Sequence, residues 1–437
     1  MLTHEEAWKL FCEKSGIPNP KLQTLVERHI IKPTHKFYNL LDDFCFKSKN
    51  LYNAALYVQR QFYFEQGIFL SHNELNYIMR DRENNIDYKN LPAQTSNRIL
   101  DLLCKNLKSF QRATKEYFNN PDKFTGKPKL PKYLHKEKGR NILILSNQQC
   151  RVKDSIVYLP KVFNGLTIKT KIVGYFQQLR ILPRGNHIIL ELVYQKEIPE
   201  LRQSNGNFLS IDMGLGNLLT MCSNVENSIP YIINGKGLKS YNKDFNKKLA
   251  HYKSIAMKCN GKHSTKRIEK LYYKRNRVIE NFTHHASKFV VDYAEQLNVT
   301  DIIIGNNKDW KRYSKLSKKV NQTFVQIPYN SIINKIKYKA DQKGINVHVV
   351  EESFTSGTSF LDNEYPDRNN YNISRRIHRG LFKSNNNIYI NADLNASFQI
   401  AKKVFPDMYL DGISGLVLNP TRVNLLKLVS WLVNEIN

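Results

Sequence analysis

The sequence predicts a multidomain α/β protein. A mixed sheet with helices occupies the C-terminal half, and a small β-barrel carrying an inserted helical bundle occupies the N-terminal half. Three observations carry this reading. At 437 residues the chain can bury more than one core. Apolar residues at three- and four-residue spacing run through 37–119, whereas short apolar runs separated by turn residues fill 142–194. From Phe208 onward, three strands are followed by helix, strand, helix, strand and helix.

The elements follow in chain order. Thr3 and Glu6 form a capping-box pattern that opens a short helix within residues 1–22, stopped by Gly16 and Pro18. Leu25–Lys32 reads as a strand, and Thr34 is placed to cap a long helix to about Gln66 carrying Phe37, Leu41, Phe44, Leu51, Ala55 and Phe62. Ser71 and Glu74 cap a second helix, and Pro92 opens a third with Ile99, Leu103 and Leu107 inward. Five short strands between Ile142 and Tyr194 would build the barrel, completed by Leu25–Lys32. Phe208–Ile211 is a buried strand ending at Asp212; Gly214 and Gly216 turn the chain, and Leu218–Cys222 returns. Tyr231–Asn234 closes the meander. A helical hairpin broken near Asn260-Gly261 follows, then a helix to Leu297, the strand Asp301–Ile304, a helix opened by Pro328, the strand Asn346–Glu352, a loop-like stretch 354–390, and a helix opened by Asp393. This order fits a mixed sheet of the ribonuclease H kind.

Lys+Arg number 67 against 38 Asp+Glu, a formal charge of +29, so a polyanionic partner is expected. The excess is clustered. Residues 105–140 hold 11 Lys/Arg against three acids, and 236–277 hold 14 against two. Within the first cluster, Lys127, Lys129, Lys132 and Tyr133 alternate basic and aromatic groups on a proline-stiffened loop; in the second stand Lys247, Lys248, Arg275 and Arg277. Six scattered cysteines, none paired as C-x-x-C, exclude a disulfide framework or a zinc site by spacing and fit a reducing cytoplasm. No signal-peptide pattern or membrane-length apolar run is expected.

Asp212 at a strand end, Glu351 and Glu352 at another, and Asp393 at a helix start are the acids placed for chemistry. Two-metal phosphodiester hydrolysis gathers carboxylates around ions ~3.5–4 Å apart. A hard ion such as Mg2+ takes oxygen ligands. Strand alternation puts Glu352 with His348 and Val350, and Glu351 with Val347 and Val349. Both faces hold valine, so periodicity leaves open which glutamate meets Asp212.

Several stretches resemble the RuvC-like blocks of TnpB, the OrfB protein of bacterial insertion sequences and a relative of type V CRISPR effectors. They are Ser-Ile-Asp-Met-Gly-Leu-Gly-Asn (210–217), Glu-Glu-Ser-Phe-Thr-Ser-Gly-Thr-Ser-Phe-Leu-Asp (351–362), Arg-Ile-His-Arg-Gly-Leu-Phe (376–382) and Ile-Asn-Ala-Asp-Leu-Asn-Ala (390–396). Residues 126–133, 241–250 and 282–288 extend the resemblance, which covers about residues 24–410. It implies an RNA-guided DNA endonuclease that cuts next to a short adjacent motif, with pairing reading the target and protein reading the motif. The implied partners are a guide RNA from the element's end, double-stranded target DNA and the guide–target heteroduplex, with no membrane. The implied place is the bacterial cytoplasm, on the nucleoid when bound to DNA. The implied domains are an extension 1–22, a wedge barrel of 23–36 and 120–203, a helical recognition insertion 37–119, a RuvC-like nuclease domain of 204–353 and 391–437, and a degenerate zinc-ribbon-like insertion 354–390 that binds target nucleic acid.

Two departures from the family pattern stand out. The usual glutamate after Ile304 is Gly305 here, which implies either a nuclease-inactive DNA-binding repressor or a carboxylate supplied from elsewhere. In rearranged relatives a glutamate stands three residues before the Thr-Ser pair, which here is Glu352; the resemblance therefore assigns two Mg2+ ions to Asp212, Glu352 and Asp393. A DNA transposase is the remaining alternative. The zinc-ribbon cysteines are missing throughout 354–390, so no zinc is expected, and Arg375, Arg376 and Arg379 are expected on phosphate instead.

Overall fold

The computed structural model describes residues 21–81, 85–307, 326–378, 380–408 and 420–425. These fall into two compact units, Leu22–Glu197 and a second made of Lys21 with the residues from Ile198 onward. The helix expected within 1–22, the basic stretch 308–319 and Arg379 lie outside the described residues, wholly or nearly so.

In the Leu22–Glu197 unit, β1 (Leu22–Ile31), β2 (Leu143–Ser146), β6 (Tyr175–Arg184) and β7 (His187–Glu197) form an antiparallel sheet in the order β1-β7-β6-β2. Arg28 faces Glu191 across β1 and β7, and the pair closes at 2.9 Å. A separate sheet joins β3 (Arg151–Lys153), β4 (Ile156–Tyr158) and β5 (Thr167–Lys169). The strands expected to close one barrel are thus hydrogen-bonded as two sheets. Four helices lie between β1 and β2: α1 (Tyr38–Gln66), α2 (His72–Asp81), α3 (Ile86–Lys89) and α4 (Ala93–Asn119). Leu41, Cys45, Leu51 and Leu56 of α1 are buried with Ile99, Leu103 and Leu107 of α4, the spacing that predicts one face per helix. The capping box of α2 is formed: Ser71 N donates to Glu74 Oε2 at 2.7 Å, and Glu74 N to Ser71 Oγ at 3.4 Å. Thr34 does not cap α1. Residues 33–37 turn first, with His35 N donating to Lys32 O, and the helix starts at Tyr38 without a side-chain cap.

The second unit is built on a six-stranded mixed sheet. Its strands are β8 (Phe208–Asp212), β9 (Asn217–Ser223), β10 (Tyr231–Asn234), β11 (Asp301–Gly305), β12 (Asn346–Val350) and β15 (Thr421–Val423), in the order β12-β11-β8-β9-β10-β15. β8, β11 and β12 run parallel, β9 runs antiparallel to β8 and β10, and β10 pairs parallel with β15. A two-stranded ribbon, β13 (Leu381–Lys383) with β14 (Tyr389–Asn391), lies in the 354–391 stretch.

Alternation along the strands sorts the sheet's two faces. Leu209, Ile211, Ile302 and Ile304 pack with α6 (Lys266–Gln296) and α7 (Tyr329–Asp341), through Phe282, Ala286, Val290, Ile332 and Ile336. Phe208 and Ile303 turn the other way and pack with Ile400 and Ala401 of α8 (Ala392–Lys402), with Val350 beside them. Ser397 of α8 is tied to the sheet: its hydroxyl donates to Ser210 O at 2.9 Å and its carbonyl accepts from Ser210 Oγ at 2.6 Å. Between β10 and α6 runs α5 (Lys236–Asn260). The break before α6 sits at Gly261, whose φ of 58° suits a residue without Cβ.

Candidate functional site

Asp212, the last residue of β8, shares the α8 face with Phe208 and Ser210. The β8–β9 turn that presents it is tight. A Cβ on Gly214 would lie 2.6 Å from Asn217 O, so glycine is required there. Tyr329 of α7 donates its hydroxyl to Gly214 O at 3.0 Å and pins the turn from below.

Asp393 arrives on the same face from the first turn of α8. It is not the helix cap. Asn391 is, accepting from the N–H groups of Asp393 and Leu394 at 3.0 and 3.2 Å. With the cap so occupied, the Asp393 carboxylate is free to turn to the sheet. Its Oδ2 accepts from Asn217 Nδ2 at 2.7 Å and its Oδ1 from Arg376 Nη2 at 3.0 Å.

Glu351 and Glu352 follow the end of β12 rather than lying in it, because that strand stops at Val350. The ladder nevertheless continues one bond further, Asn306 N to Val350 O at 2.8 Å. Asn307 then grips Glu352 twice: it accepts from Glu352 N at 3.2 Å and donates to Glu352 Oε2 at 3.1 Å. Glu352 thereby keeps the face of Val350, the α8 face, while Glu351 is exposed. The space Glu352 fills is the one a side chain at position 305 would need. A Cβ on Gly305 would stand 2.6 Å from Glu352 Cγ, 2.8 Å from Glu352 Oε1 and 2.5 Å from Ile400 Cδ1. The glycine and the glutamate are complementary: one vacates what the other occupies.

Asp212 responds to the other two carboxyls. Burial, then the charges of Glu352 and Asp393, push Asp212 well above the usual carboxylate range, with Arg376 opposing. Burial pushes Glu352 up to about 7, opposed by the Met213 backbone N–H and by Lys403. Glu352 Oε1 is buried with no hydrogen-bond partner among the described residues. An unsatisfied carboxylate oxygen amid like charges is a demand for a cation, and an all-oxygen donor set fits a hard divalent one. Among the described residues no three of His, Cys, Asp and Glu are drawn to ligating separation, and both Asp393 oxygens are held by Asn217 and Arg376. The residues therefore fit the ion by chemistry, with Asp393 turned to protein partners.

The sequence-predicted basic residues divide. Lys127, Lys129, Lys132 and Tyr133 are exposed, on a segment whose backbone is held to α1. Arg60 Nη2 donates to Pro131 O at 3.1 Å, Asn53 Nδ2 to Leu134 O at 2.8 Å, and Lys49 Nζ to Lys136 O at 2.5 Å. Lys247 and Lys248 are exposed on α5, Lys248 paired with Asp244 at 2.7 Å. Arg275 is turned inward, donating to Asn242 at 2.9 Å and lying over the Phe245 ring, and Arg277 lies by Tyr273. Arg375 and Arg376, expected on phosphate, are paired with Glu364 and Asp393 within the protein. Sequence reasoning missed Asn217, Asn307 and Tyr329. The signals for the first two are an asparagine that opens the strand returning from the Asp212 turn and one two residues past the end of β11.

Residues 191–311 match the family model OrfB_IS605, described as a probable transposase, and residues 329–400 match the Cas12f1-like TNB domain. The resemblance to TnpB is borne out by these matches. No curated protein matches the chain. Among solved structures, the chain is similar to Cas12f1 in a complex with sgRNA and target DNA, at 16% identity and TM-score 0.34, covering 88% of this chain and 100% of that one. A CRISPR-Cas12f ternary complex is similar at 14% identity and TM-score 0.35, over 87% and 82%. CasPhi-2 (Cas12j) bound to crRNA and phosphorothioate DNA is similar at 9% identity and TM-score 0.47, over 93% and 95%.

Proposed function

We propose that the chain is an RNA-guided DNA endonuclease of an insertion sequence, and that its six-stranded sheet is a RuvC-like, ribonuclease H-type nuclease domain. The strand order supports the domain reading: an antiparallel meander β8-β9-β10 is extended from its first strand by the parallel β11 and β12. The single observation that carries the activity is that β8, the residues after β12 and the first turn of α8 bring Asp212, Glu352 and Asp393 to the α8 face of one sheet, where burial, and then the charges of the other two, raise Asp212. Asp212, Glu352 and Asp393 would hold Mg2+, and a bound pair of such ions supplies water activation and stabilisation of the leaving 3′ oxygen in phosphodiester hydrolysis. The chain's own residues orient the carboxylates. Asn307 sets Glu352, and Asn217 with Arg376 sets Asp393.

Guide RNA, double-stranded target DNA and their heteroduplex are the partners in this reading, taken up by the charge concentrated in 105–140 and 236–277. The exposed Lys127, Lys129, Lys132, Lys247 and Lys248 are the phosphate contacts it names. The wedge would be built from 23–36 and 120–203, the recognition insertion from 37–119, and the target-nucleic-acid-binding insertion from 354–390. Among the described residues no helix is long and apolar enough to cross a membrane. The bacterial cytoplasm, and the nucleoid on binding DNA, is the place proposed.

Two other readings have a specific observation behind them. Gly305 favours a nuclease-inactive repressor, which the packing of Glu352 into the same space counters. The family description favours a transposase. Sequencing the RNA that copurifies with the protein, then supplying a reprogrammed guide and a plasmid library, separates the three. A discrete RNA and guide-directed double-strand cuts beside a fixed short motif are expected. Guided binding without cutting would leave the repressor, and strand transfer independent of RNA would leave the transposase.

A further inference from the structure

Relatives with a zinc ribbon hold the insertion before the last nuclease block together with thiolate-bound metal. The residues here do not fit that metal. Residues 354–390 contain no cysteine and a single histidine, His378, far short of the four ligands of a structural zinc site. Something else must close this stretch. Its regular structure amounts to one turn of 3-10 helix and a three-residue ribbon, too little to fold by propensity.

What stands at its centre is an ion pair. Arg375 Nη1 straddles the Glu364 carboxylate, 2.7 Å from Oε1 and 2.6 Å from Oε2, and both side chains are largely buried. Glu364 Oε2 also accepts from Ser359 N at 2.8 Å, so three separated points of the stretch meet on one carboxylate. The Glu364 segment is in turn docked on α8. Gln399 Nε2 donates to Glu364 O at 3.1 Å, and Lys402 Nζ to Asn363 O at 2.8 Å. Asn395 joins Thr358 O at 2.8 Å and Phe360 N at 2.9 Å, and the Phe360 and Phe398 rings stack at 4.4 Å. Arg376, next in the chain after the stapled Arg375, reaches Asp393.

We propose that the Glu364–Arg375 pair replaces the ribbon metal as the closure of this insertion, and that Glu364 is thereby a positioning residue that sets Arg376 against Asp393. A carboxylate that accepts from a guanidinium and a backbone N–H joins distant points of a chain as a metal does, without thiols or a metal supply. The closure is independent of the nuclease reading; its effect on cleavage rests on it.

The test uses full-length protein with its copurified RNA and reads backbone hydrogen exchange by mass spectrometry beside guided cleavage. The variants are Glu364→Gln, which keeps shape and removes charge, and the exchanged pair Glu364→Arg with Arg375→Glu. Glu364→Gln is expected to raise exchange across 354–378 at least tenfold, leave β8 and β11 as in the wild type, and raise the Mn2+ concentration that half-saturates cleavage. The exchanged pair is expected to recover part of the protection, since it restores the ion pair but leaves Ser359 N without its acceptor. A strong zinc chelator is expected to change neither exchange nor cleavage in the wild type. The proposal is overturned if the chelator opens 354–378, or if Glu364→Gln exchanges like the wild type. Unaltered metal dependence in a Glu364→Gln protein with an opened insertion would overturn the positioning half. A wild type that never cuts would sink the nuclease reading and leave the exchange result to judge the closure.

Discussion

Two glutamates in the same unit sit at opposite ends of the carboxylate range. Glu280 on α6 is pulled down to about 2, first by its hydrogen bond with His284 and also by Lys335, at 3.2 Å each. Glu352 is pushed up to about 7 by burial. The difference is the supply of cations. Glu280 has its positive partners built in and serves the packing of α6 on α7. Glu352 has a buried oxygen without a hydrogen-bond partner among the described residues, the kind of site at which a bound cation is stabilising.

The strongest way to break that comparison is to remove the acids of the α8 face. Asp212→Ala, Asp393→Ala and Glu352→Gln are each expected to lower divalent-metal-dependent DNA cleavage by roughly 100-fold or more while RNA binding stays unchanged, since even outer partners of a metal site are worth about 10–100-fold. Glu351→Gln, on the exposed neighbour, should cut within about twofold of wild type. Guided-cleavage rates decide it, and wild-type rates in Glu352→Gln with loss in Glu351→Gln would reverse the assignment.

The pH dependence of stability should have opposite signs at the two sites. The folded state holds the Glu352 proton up to about 7 against a usual 4.5, so its contribution is full below about pH 4.5 and lost as pH rises through about 7. In metal-free protein that amounts to about 2–3 kcal/mol. Thermal unfolding in EDTA from pH 5 to 8 should show the decline, and added Mg2+ should remove it. A decline that persists in saturating Mg2+ would locate the titrating group elsewhere.

Gly305→Ala sharpens the packing side of the argument. The new methyl would meet Glu352 and Ile400 inside 3 Å, an overpacking expected to cost about 1–3 kcal/mol. Cleavage should fall with it as Glu352 is displaced. Unfolding midpoints and cleavage rates unchanged from wild type would show that the two positions do not compete for space.

The smallest effect is expected at the built-in pair. Its folded-state pKa is depressed, so Glu280 stabilises above about pH 4.5 and the contribution fades as pH falls toward about 2. The carboxylate is 44% exposed, so solvent screening reduces its worth to about 1 kcal/mol. Glu280→Gln should lower stability by that amount at pH 7, lose the difference in acid, and leave cleavage alone. A cleavage defect in this variant would place Glu280 in the chemistry.

Much of the fold was legible because its signals are local. The capping box at Ser71, the break at Gly261 and the strand that ends at Asp212 each need only a few neighbouring residues. Thr34 failed for the same reason in reverse. It has the composition of a cap, but the chain turns at 33–37 before the helix begins, and nothing in the local pattern places that turn. The expected barrel became two sheets because alternation marks strands without naming their partners. Arg375 and Arg376 read as free cations because their acids, Glu364 and Asp393, are 11 and 17 residues away.

The sequence by itself determined the order of the strands and helices from β8 to β12 and the helix after them, though not β13, β14 or β15, together with the excess of positive charge, the lack of thiolate ligands in 354–390, and the candidacy of Asp212 and Asp393 at element ends. The resemblance assigned Glu352 over Glu351; the physical reason, that Glu352 is on the covered face and Glu351 exposed, came only from the tertiary structure. Alternation separates the two glutamates but does not name the covered face. That face is defined where Val350 packs with Phe208, Ile303 and Ile400, residues drawn from across the unit. Only in that packing does the missing side chain of Gly305 become the room in which Glu352 sits. Period two is a property of one strand; which side faces the helix is a property of the layer.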